Sequence, residues 1–184
     1  MDQIEALKAL TVLLRAWFGS SEVIIASGAP RDILSGVPVK DIDIFVPVDL
    51  EEGDDTQFTR GCQRLAAAYD GEAVFQPVSE DYPDCYGICD VQTDRGLFQV
   101  IGLDRPPLDD LHDYDFGLSQ VAITPKGLLF TEAAIRDRQN RTITYTPSTH
   151  DALSVERSRK RLARLRAKYV GWTFVNCEVL DTAP

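Results

Sequence analysis

Apolar residues near the N-terminus recur every three or four positions. Ile4, Leu7, Leu10, Leu13, Leu14 and Phe18 line one face, which predicts an amphipathic helix over 4–18, stopped by Gly19-Ser20-Ser21. The pattern then shortens. Val23-Ile24-Ile25-Ala26 is a continuous apolar run of strand length. Ser27-Gly28-Ala29-Pro30 reads as a turn, and Arg31 to Leu34 as a short helix with Pro30 near its first position. Gly36-Val37-Pro38 ends that helix. Asp41 to Val46 alternates polar and apolar, the pattern of a half-buried strand. An acidic loop from Glu51 to Asp55 leads to a helix through Leu65 and Tyr69.

The middle of the chain has strand-like patterning. Val74-Phe75 is a weak strand. The segments 87–93 and 97–103 flank Asp94-Arg95-Gly96 and predict a hairpin. A Pro106-Pro107 loop with Asp109, Asp110 and Asp113 follows. A strand is expected from Phe116 to Thr124, a turn at Pro125-Lys126-Gly127 into Leu128-Leu129-Phe130, and a last strand over Thr142 to Tyr145. Residues 151–170 form a basic helix whose buried stripe is Leu162, Leu165, Tyr169 and Trp172. No repeat or low-complexity tract interrupts this order. The expectation is an α+β fold, with residues 1–150 as the main body and 151–184 as a C-terminal helix and tail packed on it in one compact domain.

Composition narrows the function classes. The chain has 184 residues, 44% hydrophobic and 26% charged, which excludes a disordered tail or a fibre. No stretch is long and apolar enough for a membrane span. No basic leader precedes an apolar run, so a cytoplasmic protein without membrane partners is expected. The net charge is −10, unlike a protein that coats nucleic acid over a broad face. Seven basic residues against two acids between Asp151 and Val170 form a local exception. That stripe either pairs with the acidic remainder or binds a triphosphate or an RNA backbone. Cys62, Cys85, Cys89 and Cys177 lack zinc-ligand spacing and read as reduced thiols. His112 and His150 stand beside acids in surface or capping settings. Ser119 lacks a nucleophile-elbow context.

Asp41-Ile42-Asp43 carries the sharpest chemistry. Residues two apart on a strand share a face, so both carboxylates point one way. They ionise together readily when a cation sits between them or water screens them. Mg²⁺ or Mn²⁺ suits such hard oxygen donors. Ser27-Gly28 lies upstream, after a strand and before a helix. There a glycine admits a phosphate close to the backbone, and Arg31 adds a forked cation. A phosphate cradle beside a carboxylate pair is a layout for nucleotide chemistry.

The run from Ser27 to Asp43 closely resembles the head-domain signature of tRNA nucleotidyltransferases (CCA-adding enzymes) and bacterial poly(A) polymerases. That family reads Gly-Gly-Ala-Val-Arg-Asp, a short helix, then Gly-x-Pro-x-Lys-Asp-x-Asp. Gly28, Arg31, Asp32, Gly36, Pro38, Lys40, Asp41 and Asp43 fall in register without a gap. The resemblance implies a polymerase-β-like nucleotidyltransferase fold, a small mixed sheet flanked by helices. It implies that Asp41 and Asp43 bind catalytic Mg²⁺ (or Mn²⁺), and that Ser27, Gly28 and Arg31 hold the NTP. Asp32 and Lys40 are expected to fix the loop by ion pairing. The stretch Asp113 to Ala122 is similar to the family's Arg-Arg-Asp-Phe-Thr-Ile-Asn-Ala. Asp115-Phe116 matches its Asp-Phe, which implies Asp115 as a third catalytic carboxylate. The two arginines, the threonine and the asparagine are absent, so nucleotide preference does not carry over. Related nucleotidyltransferases place the third acid mid-strand. Here 97–103 offers Gln99, with Asp90 on the opposing strand.

The family's enzymes extend well past the head. What the resemblance implies is therefore transfer of a nucleotidyl group from an NTP to an acceptor hydroxyl, with RNA or tRNA as one acceptor class. One alternative is a catalytically silent module of the same fold that binds a nucleotide or a partner. Another is a small toxin–antitoxin-type nucleotidyltransferase acting on a protein or a tRNA.

Overall fold

The computed structural model describes residues 2–48, 55–77, 85–148 and 151–182. His150 and most of the acidic loop after Leu50 lie outside them. The packing divides the chain into two units. One comprises residues 1–110 and 122–129, and the other 111–121 and 130–184. Residues 130–148 fall in the same unit as the C-terminal helix.

The first unit is built on a sheet. Its elements begin with α1 (Gln3–Phe18), β1 (Ile24–Ala26), α2 (Gly28–Leu34), β2 (Asp41–Pro47) and α3 (Asp55–Ala68). There follow β3 (Glu72–Gln76), β4 (Cys85–Thr93), β5 (Gly96–Leu103), β6 (Val121–Thr124) and β7 (Gly127–Phe130). The seven strands are ordered β3-β4-β5-β2-β1-β6-β7. The pair β2–β5 is parallel. The pairs β1–β2, β1–β6, β3–β4 and β4–β5 are antiparallel. This is the mixed, helix-flanked sheet expected.

Asp2 caps α1 by accepting from the Ile4 amide at 3.3 Å, and Gly19 ends it in the left-handed region at φ 65°. The apolar stripe of α1 and the α3 residues Phe58, Cys62 and Leu65 pack with Ile25, Ile44, Val46, Cys89, Val91, Phe98 and Val100 into one core. Those strand residues occupy alternate positions on neighbouring strands, so this core covers a single face of the sheet. Leu13 departs from the predicted stripe and is 47% exposed. The hydrogen-bonded Cys89 thiol and then burial push the Cys62 thiol up, and burial pushes Cys85 up. None of the four thiols is in a disulfide.

The second unit contains α4 (Glu132–Asn140), β8 (Thr142–Thr144), α5 (Ala152–Lys168), β9 (Thr173–Val175) and α6 (Glu178–Asp181). β8 and β9 pair in parallel, Ile143 opposite Phe174. Asp151 caps α5 by accepting from the Ser154 amide at 2.9 Å. Leu162, Leu165 and Tyr169 are buried as expected. Trp172 is only half-buried, its ring 5.2 Å from that of Tyr169.

The strand expected over 116–124 is cut short. Phe116 makes one bridge to Tyr145, 117–119 is a 3-10 turn, and regular pairing starts at Val121. The cause is a buried polar framework. Asp137, fully buried on α4, accepts from the Thr142 hydroxyl (2.8 Å), the Thr144 hydroxyl (2.6 Å) and the Thr144 amide (2.9 Å). A side chain at Gly117 would stand 2.7 Å from its Oδ2. Gln120, also buried, donates to the carbonyls of His112 and Tyr114 and accepts from the Thr131 hydroxyl. Both side chains satisfy buried groups that would otherwise cost free energy to desolvate.

Candidate active site

Strand alternation sets the carboxylate pair. In β2, Ile44 and Val46 are buried on the core face, Ile42 is half-buried, and Asp41 and Asp43 fall on the opposite, half-exposed face. β2 lies between β1 and β5, so its backbone is held from both sides. The Lys40 ammonium sits 3.1 Å from Asp41 Oδ2, and its side chain is 73% exposed. A pair this wet contributes little stability and yields readily to a competing cation.

The sheet extends the polar row beyond β2. Asp43 is opposite Gln99 on β5, and Gln99 is opposite Asp90 on β4. Gln99 Nε2 donates to Asp90 Oδ1 at 2.9 Å, and Gln76 Nε2 on β3 donates to Asp90 Oδ2 at 3.1 Å. All of these lie on the face away from the α1–α3 core.

The cradle meets the dyad at Gly28. α2 starts at Gly28, two residues earlier than the proline suggested, so that Pro30 falls at its third position. A methyl group placed on Gly28 would lie 3.7 Å from Asp43 Oδ2 and 3.9 Å from Arg31 Nη2. The glycine therefore leaves open a small volume that touches a carboxylate on one side and a guanidinium on the other. Arg31 is aimed by its neighbour. Its Nε donates to Asp32 Oδ1 at 2.7 Å, and Asp32 is buried. The expected ion-pairing role of Asp32 thus operates through Arg31, and that of Lys40 through Asp41. Ser27, just before the helix, has φ 65° and ψ −110° and makes no capping hydrogen bond through its side chain. Few residues other than glycine adopt that backbone, and the resembled signature carries glycine there.

Asp115 belongs to the other unit. Its Oδ1 pairs with Arg161 Nη1 at 2.6 Å, and its Oδ2 accepts from the Ser158 hydroxyl at 2.7 Å. Both partners are on α5, so Asp115 anchors that helix. The remainder of the basic stripe is partly spoken for within the same unit. Arg166 forms a two-pronged pair with Asp181, and Arg159 holds Glu156 and the Leu180 carbonyl. His112 is exposed and Ser119 is buried. Among the described residues, no three acidic, histidine or cysteine side chains gather as a metal-binding group. The sequence-derived residues of the first unit converge: Gly28, Arg31 and Asp43 meet around one volume, with Asp41 two residues along the same face. Two hard oxygen donors of this kind are what Mg²⁺ and Mn²⁺ take, with water completing the shell. Asp137 and Gln120 were not singled out from sequence, because their partners are brought to them only by the fold.

No protein-family model and no curated protein matches the sequence. Solved structures do. A tRNA-processing enzyme in an apo form aligns over 98% of this chain at 21% identity, with a TM-score of 0.62. A Thermotoga maritima CCA-adding enzyme complexed with tRNA aligns over 96% at 20% identity, also at 0.62. A CCA-adding enzyme in complex with CTP aligns over 96% at 20% identity, at 0.61. The chain spans 46%, 43% and 44% of those proteins, less than half of each. Its fold is that of the tRNA nucleotidyltransferase head whose signature the residues from Ser27 to Asp43 resemble.

Proposed function

We propose that the chain transfers a nucleoside monophosphate from an NTP to an acceptor hydroxyl and releases pyrophosphate. One observation carries this reading: the open volume at Gly28 is bounded by Asp43 on one side and Arg31 on the other. A polyphosphate in that volume would meet a cation fork and lie against the carboxylates that hold a divalent ion. The donor set fits the ion, since both acids are half-exposed hard oxygens on one rigid strand. When bound, Mg²⁺ or Mn²⁺ offsets charge on the phosphate oxygens.

The chain's own groups supply the remainder. Asp41 and Asp43 would hold the ion, and Arg31, fixed by Asp32, would grip non-bridging phosphate oxygens with its guanidinium fork. Ser27 and Gly28 let the backbone approach, since a side chain at Gly28 would occupy the phosphate's place. The acceptor oxygen bonds to the α-phosphorus and gives up its proton to solvent water at this half-exposed face. The bond from that phosphorus to the bridging oxygen breaks, and pyrophosphate leaves with the electron pair. Asp115 is kept outside this set, as the anchor of α5. That similar structures hold CTP, ATP or tRNA supports an NTP as donor and an RNA end as one acceptor class.

The test is incubation with each α-³²P-labelled NTP, Mg²⁺ or Mn²⁺, and total cellular RNA and protein. The comparison is wild type against the Asp41→Ala/Asp43→Ala double variant. Label transferred by wild type alone is the expected result, and the labelled species names the acceptor. Equal transfer by the double variant would refute the reading. A second reading, a silent nucleotide-binding module, is favoured by the absence of a third acid beside the dyad among the described residues. Metal-dependent NTP binding without transfer would support it.

A further inference from the structure

The place next to Asp43 on the site face is taken by an amide. Gln99 is its register partner across the parallel β2–β5 pair, and no third acid gathers with Asp41 and Asp43 among the described residues. A carboxamide can present either its oxygen or its NH₂ group to a neighbour. Here the choice is made by β4. Asp90, opposite Gln99, accepts from Nε2 at 2.9 Å, and Asp90 is itself held through its other oxygen by Gln76 Nε2 at 3.1 Å. A carboxylate only accepts, so it locks the amide with nitrogen toward β4. Oε1 is then the heteroatom left for the β2 side.

We infer that Gln99 Oε1 is a third, neutral oxygen of the divalent-ion site, and that Asp90 is a positioning residue that keeps this oxygen, rather than the NH₂ group, turned toward Asp43. The inference rests on the metal-site reading of Asp41 and Asp43. Its chemical content is that the negative charge of the row sits one strand too far away to ligate. The chain keeps an acid on the face, but uses it to orient a weaker donor. The protein without nucleotide should therefore hold a divalent ion loosely, because two carboxylates and an amide oxygen offer less charge than three carboxylates.

A charge-conserving exchange tests this. Gln99→Glu/Asp90→Asn moves the acid from β4 to β5, while the new amide on β4 can still donate across the same strand pair. The probe is Mn²⁺ alone, with free ion counted by electron paramagnetic resonance. The exchange is expected to tighten Mn²⁺ binding at least about tenfold. Gln99→Leu, which removes the oxygen, should weaken it by about tenfold, and Asp90→Ala, which releases the lock, by a similar factor. Asp43→Asn serves as the reference for loss of the dyad. Mn²⁺ binding that depends on Asp43 yet is unchanged in the exchange and in Gln99→Leu overturns the role of Gln99 and leaves the dyad standing. Binding indifferent to Asp43 overturns the dyad reading, and this inference with it. A thermal melt on each variant separates either result from unfolding. If the exchanged protein does not fold, the half-buried Gln99→Leu substitution decides alone.

Discussion

Replacing Ser27 by glycine should make the protein more stable, although it removes a side chain at the mouth of the candidate site. The wild-type residue sits at φ 65°, ψ −110°, where a Cβ is crowded by its own backbone. Such positions cost about 1–3 kcal/mol for a residue other than glycine. Glycine removes that cost but gains freedom in the unfolded chain, an opposing effect of about 0.5–1 kcal/mol. The difference favours the variant by about 1 kcal/mol, or an increase in Tm of about 2–4 °C for a chain of this length. The Ser27 hydroxyl makes no capping bond, so Ser27→Ala should differ from wild type by only a few tenths of a kcal/mol, on the order of a neutral surface change. Urea unfolding with an unchanged m-value separates stability from a change in the denatured state. A Ser27→Gly midpoint at or below wild type would refute the argument. A large loss in Ser27→Ala would show that the hydroxyl, not the backbone, is what matters.

Three further outcomes are expected. Gly28→Ala should leave the midpoint of unfolding within about 1 kcal/mol of wild type, since its Cβ meets nothing closer than 3.7 Å. The same variant should weaken NTP binding at least about tenfold by filling the phosphate volume, measured by filter binding with labelled NTP. Asp137→Ala removes a buried acceptor of three hydrogen bonds. It should destabilise the second unit by about 3 kcal/mol, seen in the denaturation midpoint. Burial pushes the Cys177 thiol from its ordinary 9.0 up to about 11. The unfolded chain therefore loses this proton first, and the thiol's contribution is intact below pH 9 and falls as pH rises from there through about 11. A pH series of melts on wild type and Cys177→Ala should diverge in that window, with the alanine variant the less pH-sensitive.

Much of the first unit was legible because its signals are local. The α1 stripe, the Gly19 stop, the alternation in β2 and the hairpin turn at 94–96 each announce themselves within a dozen residues. The cradle and the dyad were found together because one ungapped run contains both. The second unit hid its structure. α4 has only the run Ala133-Ala134-Ile135 as apolar residues, too short for a periodic stripe, and its start was marked only by Thr131, which accepts from the Ala134 amide at 3.2 Å. β8 pairs with β9 from about thirty residues away, a distance at which no periodicity can speak. Asp115 matches the family's Asp-Phe in the sequence, whereas its contacts with Arg161 and Ser158 emerge only in the fold. Gln99 and Asp90 were visible as residues. Their alignment with Asp43 required the parallel register of β2 against β5, which the sequence does not encode locally.

That parallel pair also bears on how the protein acquires its site. β4 and β5 adjoin through a tight turn and can zip together early, on the microsecond scale of hairpins. β2 can join β5 only after the intervening chain, with α3 and the hairpin itself, has closed a loop of about fifty residues. Pairings of such high contact order form late. A one-residue slip at this step would turn Asp41 and Asp43 into the core and Ile42 and Ile44 out of it, so the isoleucines act as proofreaders of the register. If the dyad holds a divalent ion as proposed, the binding of Mn²⁺ in a refolding experiment should lag behind the appearance of strand signal, making the ion a reporter of the last long-range closure in the sheet.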